Sequence, residues 1–312
     1  MLCFRKRQIM QKKTEKIAAF VFLVFGCMAA ISVVAITLYM LVKGVPALFR
    51  VGVTDLLFGT RWKPTAAEPS YGIFYIILSS IVGTLGAVAI GVPVGVLTAV
   101  FLTDFTKDSK VGEKLAKVLS AAVELLAAIP SVIYGLIGMM LLNPLIYQLE
   151  KLTFTGKDTH QFTGGSNLLS AVVVLAVMIL PTVINISASA IRSVPEAMRK
   201  ASLALGASKQ QTIFFVVLPA AKSGIMTGVV LGVGRALGEA MAVNMVAGGA
   251  VNLPLPFNSV RFLTTQLVSE MSYSSGLHRQ VLFTVGLVLY LFIVVINLFL
   301  TKLKKKGEQI YD

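Results

Sequence analysis

The stretch 192–225 reads RSVPEAMRKASLALGASKQQTIFFVVLPAAKSGI and joins two long apolar runs. Pro195 has the fixed φ that suits a helix's first position, and Glu196 brings negative charge to that helix's positive end. The spacing predicts a short helix over 196–205. It stops at Gly206, a residue suited to the left-handed turn that follows a helix. A second helix is predicted over 208–217, ending before Pro219. Two short helices joined by a turn, lying across the face of a membrane domain, form a surface for docking on a partner.

The flanking runs set the class. Of 312 residues, 56% are hydrophobic and 13% charged, and an average soluble domain carries about 25% charged residues. Six runs reach the roughly 20 residues that cross a hydrocarbon core: 17–42, 71–102, 118–142, 168–191, 223–247 and 280–300. Lipid admits only helices or closed barrels, and continuous apolar runs of this length mean helices. The expected fold is an all-α integral membrane protein with six transmembrane helices. The basic start followed by 17–42 has the order of a signal peptide. The run is too long for a signal core and no small-residue cleavage site follows, so it is read as a retained first span.

Charge placement gives the orientation. Nineteen of the 28 lysines and arginines fall in the tail 1–16, the second-to-third connection, the loop 192–222 and the tail 301–312. Eight fall in the other connections, and Arg235 lies inside a span. Lysine and arginine mark the cytoplasmic side, so both termini are expected there. The net charge of +14 is then mainly a topology signal, not a nucleic-acid footprint. Cys3 and Cys27 make no disulfide framework. Two histidines leave little room for a metal site, and no H-E-x-x-H, Cys-x-x-Cys or G-x-S-x-G motif occurs. On the opposite side, 44–70 contains VPALFRVGVTDLLFG, read as a short interfacial helix, then Trp62 as an interface anchor. The connection 143–166 runs into TGGSN, read as a flexible loop. NLPLPF, within 248–279, breaks helix and suits re-entry or docking.

Small residues let membrane helices approach closely. Gly91 and Gly95 flank Pro93 in the second span, and Gly224, Gly228 and Gly232 recur every fourth residue in the fifth. Helix packing is the simplest reading of both sets. Pro93, Pro130 and Pro181 predict kinks. The segment GVGRALGEAMAV, 232–243, adds Arg235 and Glu239 to the fifth span. At about 100° per residue, both fall on the glycine arc of a continuous helix. A charge near the bilayer centre costs about 2.5–3.5 kcal/mol on insertion scales, so this face must meet protein or water. An i,i+4 ion pair would neutralise both groups. Alternatively Arg235, with its planar fork of donors, meets an oxyanion on a pathway and Glu239 orients it or competes for it. Glu124 is a third acidic candidate, nearer the cytoplasmic interface.

The loop then carries a resemblance. Gly206, nine intervening residues, and Val216-Val217-Leu218-Pro219 resemble the EAA loop of ABC importer permeases, Glu-Ala-Ala, three residues, Gly, nine residues, Ile-x-Leu-Pro. Lys200, followed by Ala201 and Ser202, stands where the motif has Glu, and Glu196 lies one turn earlier. ELLAAIPSVIYGLIG in the third span and GRALGEAMAVNMVAG in the fifth look like the phosphate permeases of that family, the PstC subunits. The resemblance covers about residues 70–300 and implies a type I importer core over 71–300. It also implies a second, PstA-like permease subunit, a PstB-like ATPase dimer bound to the loops, and a PstS-like external phosphate-binding protein. In that family an Arg and a Glu in this stretch matter for transport; they map onto Arg235 and Glu239. No Gly-x-x-x-x-Gly-Lys-[Ser/Thr] motif occurs, so no cofactor is expected in this chain, and ATP and Mg are expected on the ATPase partner. The expected function is a phosphate permease subunit working by alternating access in the plasma membrane of a prokaryote. A permease for another oxyanion and an ion-coupled secondary anion carrier are the alternatives; a membrane enzyme lacks a nucleophile motif.

Overall fold

A computed structural model describes residues 2–105, 110–156 and 160–308. Lys107, Lys157 and the last four residues of the predicted tail lie outside the described residues. In chain order the elements are α1 (Leu2–Val51), α2 (Val53–Phe58), β1 (Trp62–Lys63), β2 (Ser70–Tyr71), α3 (Phe74–Val100), α4 (Lys110–Ala128), α5 (Ser131–Ile137), α6 (Asn143–Phe154) and α7 (Leu168–Arg192). They continue with α8 (Glu196–Ala204), α9 (Lys209–Thr212), α10 (Leu218–Gly238), α11 (Met241–Val246), α12 (Leu263–Glu270) and α13 (Gly276–Glu308). Single π-helical turns extend α3 to Phe105, join α5 to α6, and join α9 to α10. Strands β1 and β2 form an antiparallel hairpin.

Among the described residues six helices are long and apolar enough to cross a membrane: Glu15–Val51, Phe74–Asp104, Ser131–Phe154, Leu168–Arg192, Lys209–Gly238 and Gly276–Lys302. One end of the bundle carries the connection 193–208 and is called the loop end. The other carries the hairpin and α12 and is called the cap end.

Two expected spans are corrected. The third is not 118–142. Pro130 sits in extended conformation ahead of α5; proline lacks an N–H and turns the residue before it away from the helical region. The chain therefore breaks at Ile129–Pro130, leaving α4 as a separate helix with few buried residues, and the crossing helix begins at Ser131. The fifth is not continuous over 223–247. Helix α10 stops at Gly238, Glu239 is extended, and α11 starts at Met241. Pro93 and Pro181, in contrast, stay inside α3 and α7.

Helix α7 is the centre of the bundle, packed between two glycine ridges. From α3, Gly91 closes on Ile179 and Gly95 on Val183; a Cβ at either position would come within 2.8 Å of those side chains. From α10, Gly224 faces Ala190, Gly228 faces Ile186 and Gly232 faces Val183. Val183 thus touches both ridges. With no solvent-driven force between helices in lipid, such close contact supplies the association energy.

Among the described residues, helix α1 joins the bundle near its cap end. Gly44 lies against the backbone of Phe283 and Thr284, and the Thr284 hydroxyl donates to the Gly44 carbonyl at 2.7 Å. Residues 15–36 are exposed along every face.

Candidate functional site

Arg235 occupies the last turn of α10, where its positive charge complements the negative end of the helix dipole. Gly232 on the same arc meets Val183, so the end of α10 lies level with the middle of α7. The Arg235 guanidinium donates to the Thr182 hydroxyl at 3.4 Å. Its charge also reaches the Tyr134 phenol of α5. That phenol donates to the Leu126 carbonyl at 2.5 Å and holds α4 against α5 across the Pro130 break.

The i,i+4 ion pair weighed from sequence does not form: among the described residues no ion pair joins Arg235 and Glu239. The pairing requires one continuous helix, and Glu239 lies beyond the end of α10. Its carboxylate instead accepts from the Ala242 amide at 2.9 Å, satisfying a free N–H at the start of α11. Its carbonyl accepts from the Thr264 hydroxyl at 2.7 Å, tying the break to α12. Each charge therefore serves a different helix end, and Arg235 keeps donors free at mid-bundle.

At the loop end, Pro195 precedes α8, and Glu196 and Lys200 pair at 3.5 Å on a largely exposed face. Gly206 ends α8 with φ 87, a left-handed conformation that admits glycine without strain. Ser208 and Gln211 form a capping box that starts α9. The Ser202 and Thr212 hydroxyls bond at 2.9 Å, fixing α8 on α9. Leu218 and Pro219 open α10, with the proline where its missing N–H does no harm. Leu205, at the tip, is 89% exposed, with Met198 and Leu203 also exposed on α8. Arg199 pairs with Asp104 and also donates to the Ile191 carbonyl at 2.9 Å. It joins α8 to the ends of α3 and α7. The sequence reading passed over Arg199 and Asp104, counting the first only as a loop-end cation; two complementary charges in different connections are the signal, which gains meaning only when the fold brings them together.

The cap end holds a second charged cluster that the sequence did not reveal. The Glu270 carboxylate is buried. It accepts from Trp62 Nε1 at 3.0 and 3.1 Å and from Arg261 Nη1 at 2.5 Å, and bonds His278 Nε2 at 2.8 Å. Arg261 also donates to Gln266 and to the Gly249 carbonyl. Trp62 was expected as a lipid-interface anchor; it is instead bonded to this carboxylate and packs edge-on against Tyr71 and His278. Burial pushes the Tyr71 phenol above its ordinary value. The segment TGGSN, expected to be flexible, is ordered by bonds. Thr163 donates to buried Glu150 from its amide and hydroxyl, and Asn167 caps α7 by accepting from the Ser170 amide. Among the described residues no group of three His, Cys, Asp or Glu is placed to hold a metal.

Residues 91–306 match the model of the family described as binding-protein-dependent transport system inner membrane component. The chain belongs to that family. A probable ABC transporter permease protein of Bacillus subtilis, YqgH, is 40% identical over 273 residues, covering 85% of this chain and 84% of its own length. The phosphate transport system permease protein PstC of Pasteurella multocida is 32% identical, covering 81% of each chain. Among solved structures, a bacterial alginate ABC transporter bound to its periplasmic protein superposes with TM-score 0.62, covering 94% of this chain and 96% of its own at 16% identity. The inward-facing MetNI methionine ABC transporter gives 0.52, covering 76% of this chain and 94% of its own at 22% identity. The fold is that of type I ABC importer permeases, and this inner membrane permease is a transport subunit, not itself a catalytic enzyme. Permeases of the family work with a second permease, an ATPase and a binding protein.

Proposed function

We propose that this permease subunit carries inorganic phosphate, and that Arg235 is the cation that meets it. The single observation behind the reading is Arg235 itself: a guanidinium level with the middle of α7, without a carboxylate partner among the described residues and hydrogen-bonded there to a hydroxyl. A permanent cation in that position is costly unless it faces water or an anion. Its planar fork of donors matches a tetrahedral oxyanion. The PstC relative, named as a phosphate transport permease, supports phosphate over other oxyanions.

In this reading a PstA-like second permease completes the path and a PstS-like external protein delivers phosphate. A PstB-like ATPase dimer, holding ATP and Mg, docks on the 195–219 loop through the exposed Leu205 tip. Both termini face the cytoplasm. Nucleotide-driven closure of the ATPase pair pushes α8 and α9, and α10 carries the push to Arg235. Contact with the anion is weak, since a carrier must also release it.

The test is phosphate uptake by Arg235→Gln in a complex reconstituted in vesicles. The variant is expected to assemble with its partners and bind the ATPase, yet lose phosphate uptake. Normal uptake removes the anion role. Loss of sulfate or another oxyanion's uptake, with phosphate never transported by the parent chain, moves the substrate within the class.

A further inference from the structure

Helix α7 carries a polar stripe below Arg235. Thr182, Asn185, Ser189 and Arg192 follow at intervals of three, four and three residues, which at about 100° per residue confines them to an arc of about 80°. Asn185, Ser189 and Arg192 are all exposed in the single chain. Neither the Asn185 amide nor the Ser189 hydroxyl has a side-chain hydrogen-bond partner among the described residues. From Thr182 to Arg192 the stripe rises about 15 Å, half of a hydrocarbon core of about 30 Å. It begins at the hydroxyl that touches Arg235 and ends at the loop end.

An unbonded amide and a guanidinium on one face of an apolar helix do not belong against lipid, which offers them no partner. The stripe also borders a cavity of about 200 Å³, closed on its far side by Ser120 and Glu124 of α4. Glu124 and Arg192 both line this space without an ion pair between them among the described residues. The break at Pro130 makes the cavity possible, because it frees α4 to lie against this part of α7.

We infer that this face of α7 is the loop-ward half of the transport path, and that the cavity is a second, transient oxyanion subsite lined by Arg192, on the loop-ward side of Arg235. The inference rests on the reading of Arg235 as an anion-binding cation and extends it along the helix. The Thr182 and Ser189 hydroxyls and the Asn185 amide donate to the anion in turn, none of them charged and none able to hold it. Arg192 receives it at the exit. Glu124, facing the same space, competes for that cation and favours release.

The experiment uses the full transport complex in vesicles, in a Cys3→Ser, Cys27→Ser background, with inorganic phosphate as the probe. Asn185→Cys and Ser189→Cys are treated with a small sulfonate-bearing thiol reagent, and Val183→Cys, buried between the glycine ridges, is the control. Both stripe positions are expected to react, the control to stay silent, and phosphate to slow the reaction severalfold. Asn185→Leu is expected to assemble and to lower uptake about tenfold or more, the effect of losing one hydrogen bond to an ion. If Asn185→Cys fails to assemble, Ser189→Cys decides the outcome alone. No labelling at the stripe in a complex that takes up phosphate overturns the path and leaves the phosphate reading standing. Labelling slowed by sulfate and not by phosphate supports the path and overturns phosphate as its cargo. Labelling that no transported anion slows overturns the subsite.

Discussion

At the scale of single residues, glycine and arginine explain each other. Gly224, Gly228 and Gly232 bring α10 against α7, and Arg235 on the same arc is thereby aimed at Thr182. That shared face was legible from spacing alone, because helical phase is a property of sequence. The fate of Glu239 was not, because phase has meaning only while the helix lasts, and Gly238 ends it one residue earlier. The glycines also separate into two kinds. A side chain at Gly91 would meet Ile179 at 2.7 Å and the Ala176 carbonyl at 3.1 Å, whereas one at Gly234 meets nothing within 4 Å. Gly91→Leu is expected to lower the melting temperature of the detergent-solubilised chain, since overpacking costs about 1–3 kcal/mol. Gly234→Ala is expected to leave it unchanged or slightly raised, as alanine favours helix over glycine.

At the scale of elements, the first half of the loop was read as it folds, for its signals are local: Pro195 before a helix and Gly206 after it. The second helix, expected to end before Pro219, instead runs on through a π-helical turn into α10, so that Lys209–Gly238 is one crossing helix and the fifth span begins well before residue 223. The third span was misplaced because α4 and α5 are both apolar enough to merge in a running reading. Only the backbone demands of Pro130 separate them. The Arg199–Asp104 pair lay beyond any such reading, since it unites connections 95 residues apart. Both side chains are largely buried, 19% and 6% exposed, and breaking such a pair costs about 3–5 kcal/mol. Asp104→Asn is therefore expected to speed amide hydrogen exchange across 196–204 while α7 exchanges as before. The charge-reversed double variant, Asp104→Arg with Arg199→Asp, is expected to recover much of the protection. Unchanged exchange in the single variant would show that the loop is held without the ion pair, by the Arg199–Ile191 bond and the α9 contact.

At the scale of the molecule, six apolar helices were legible from length and hydropathy, and the type I importer core from the resemblance of the loop around Gly206 and of the stretches in the third and fifth spans. The cap was not: its short helices and hairpin have no periodicity long enough to read, and its order comes from contacts between distant segments. Orientation rests on the uneven placement of lysine and arginine. It predicts that reporters fused at either terminus are active only on the cytoplasmic side, and a terminus found outside would reverse the path and the docking face together.

Glu270 adds a constraint on the order in which this chain can be made. Its carboxylate binds Trp62, 208 residues before it, and His278, eight after it. Thr284 likewise closes on Gly44 across 240 residues. At about 5–20 residues per second of synthesis, the hairpin waits on the order of 10–40 s for its carboxylate to emerge. During that interval the first helix and the hairpin at its cap end stand without their anchors, and α12 and the last helix then complete both attachments almost at once. Biogenesis of the cap is thus a closing event at the end of translation, and an unfinished chain carries an indole and an unclosed helix face that the finished one conceals.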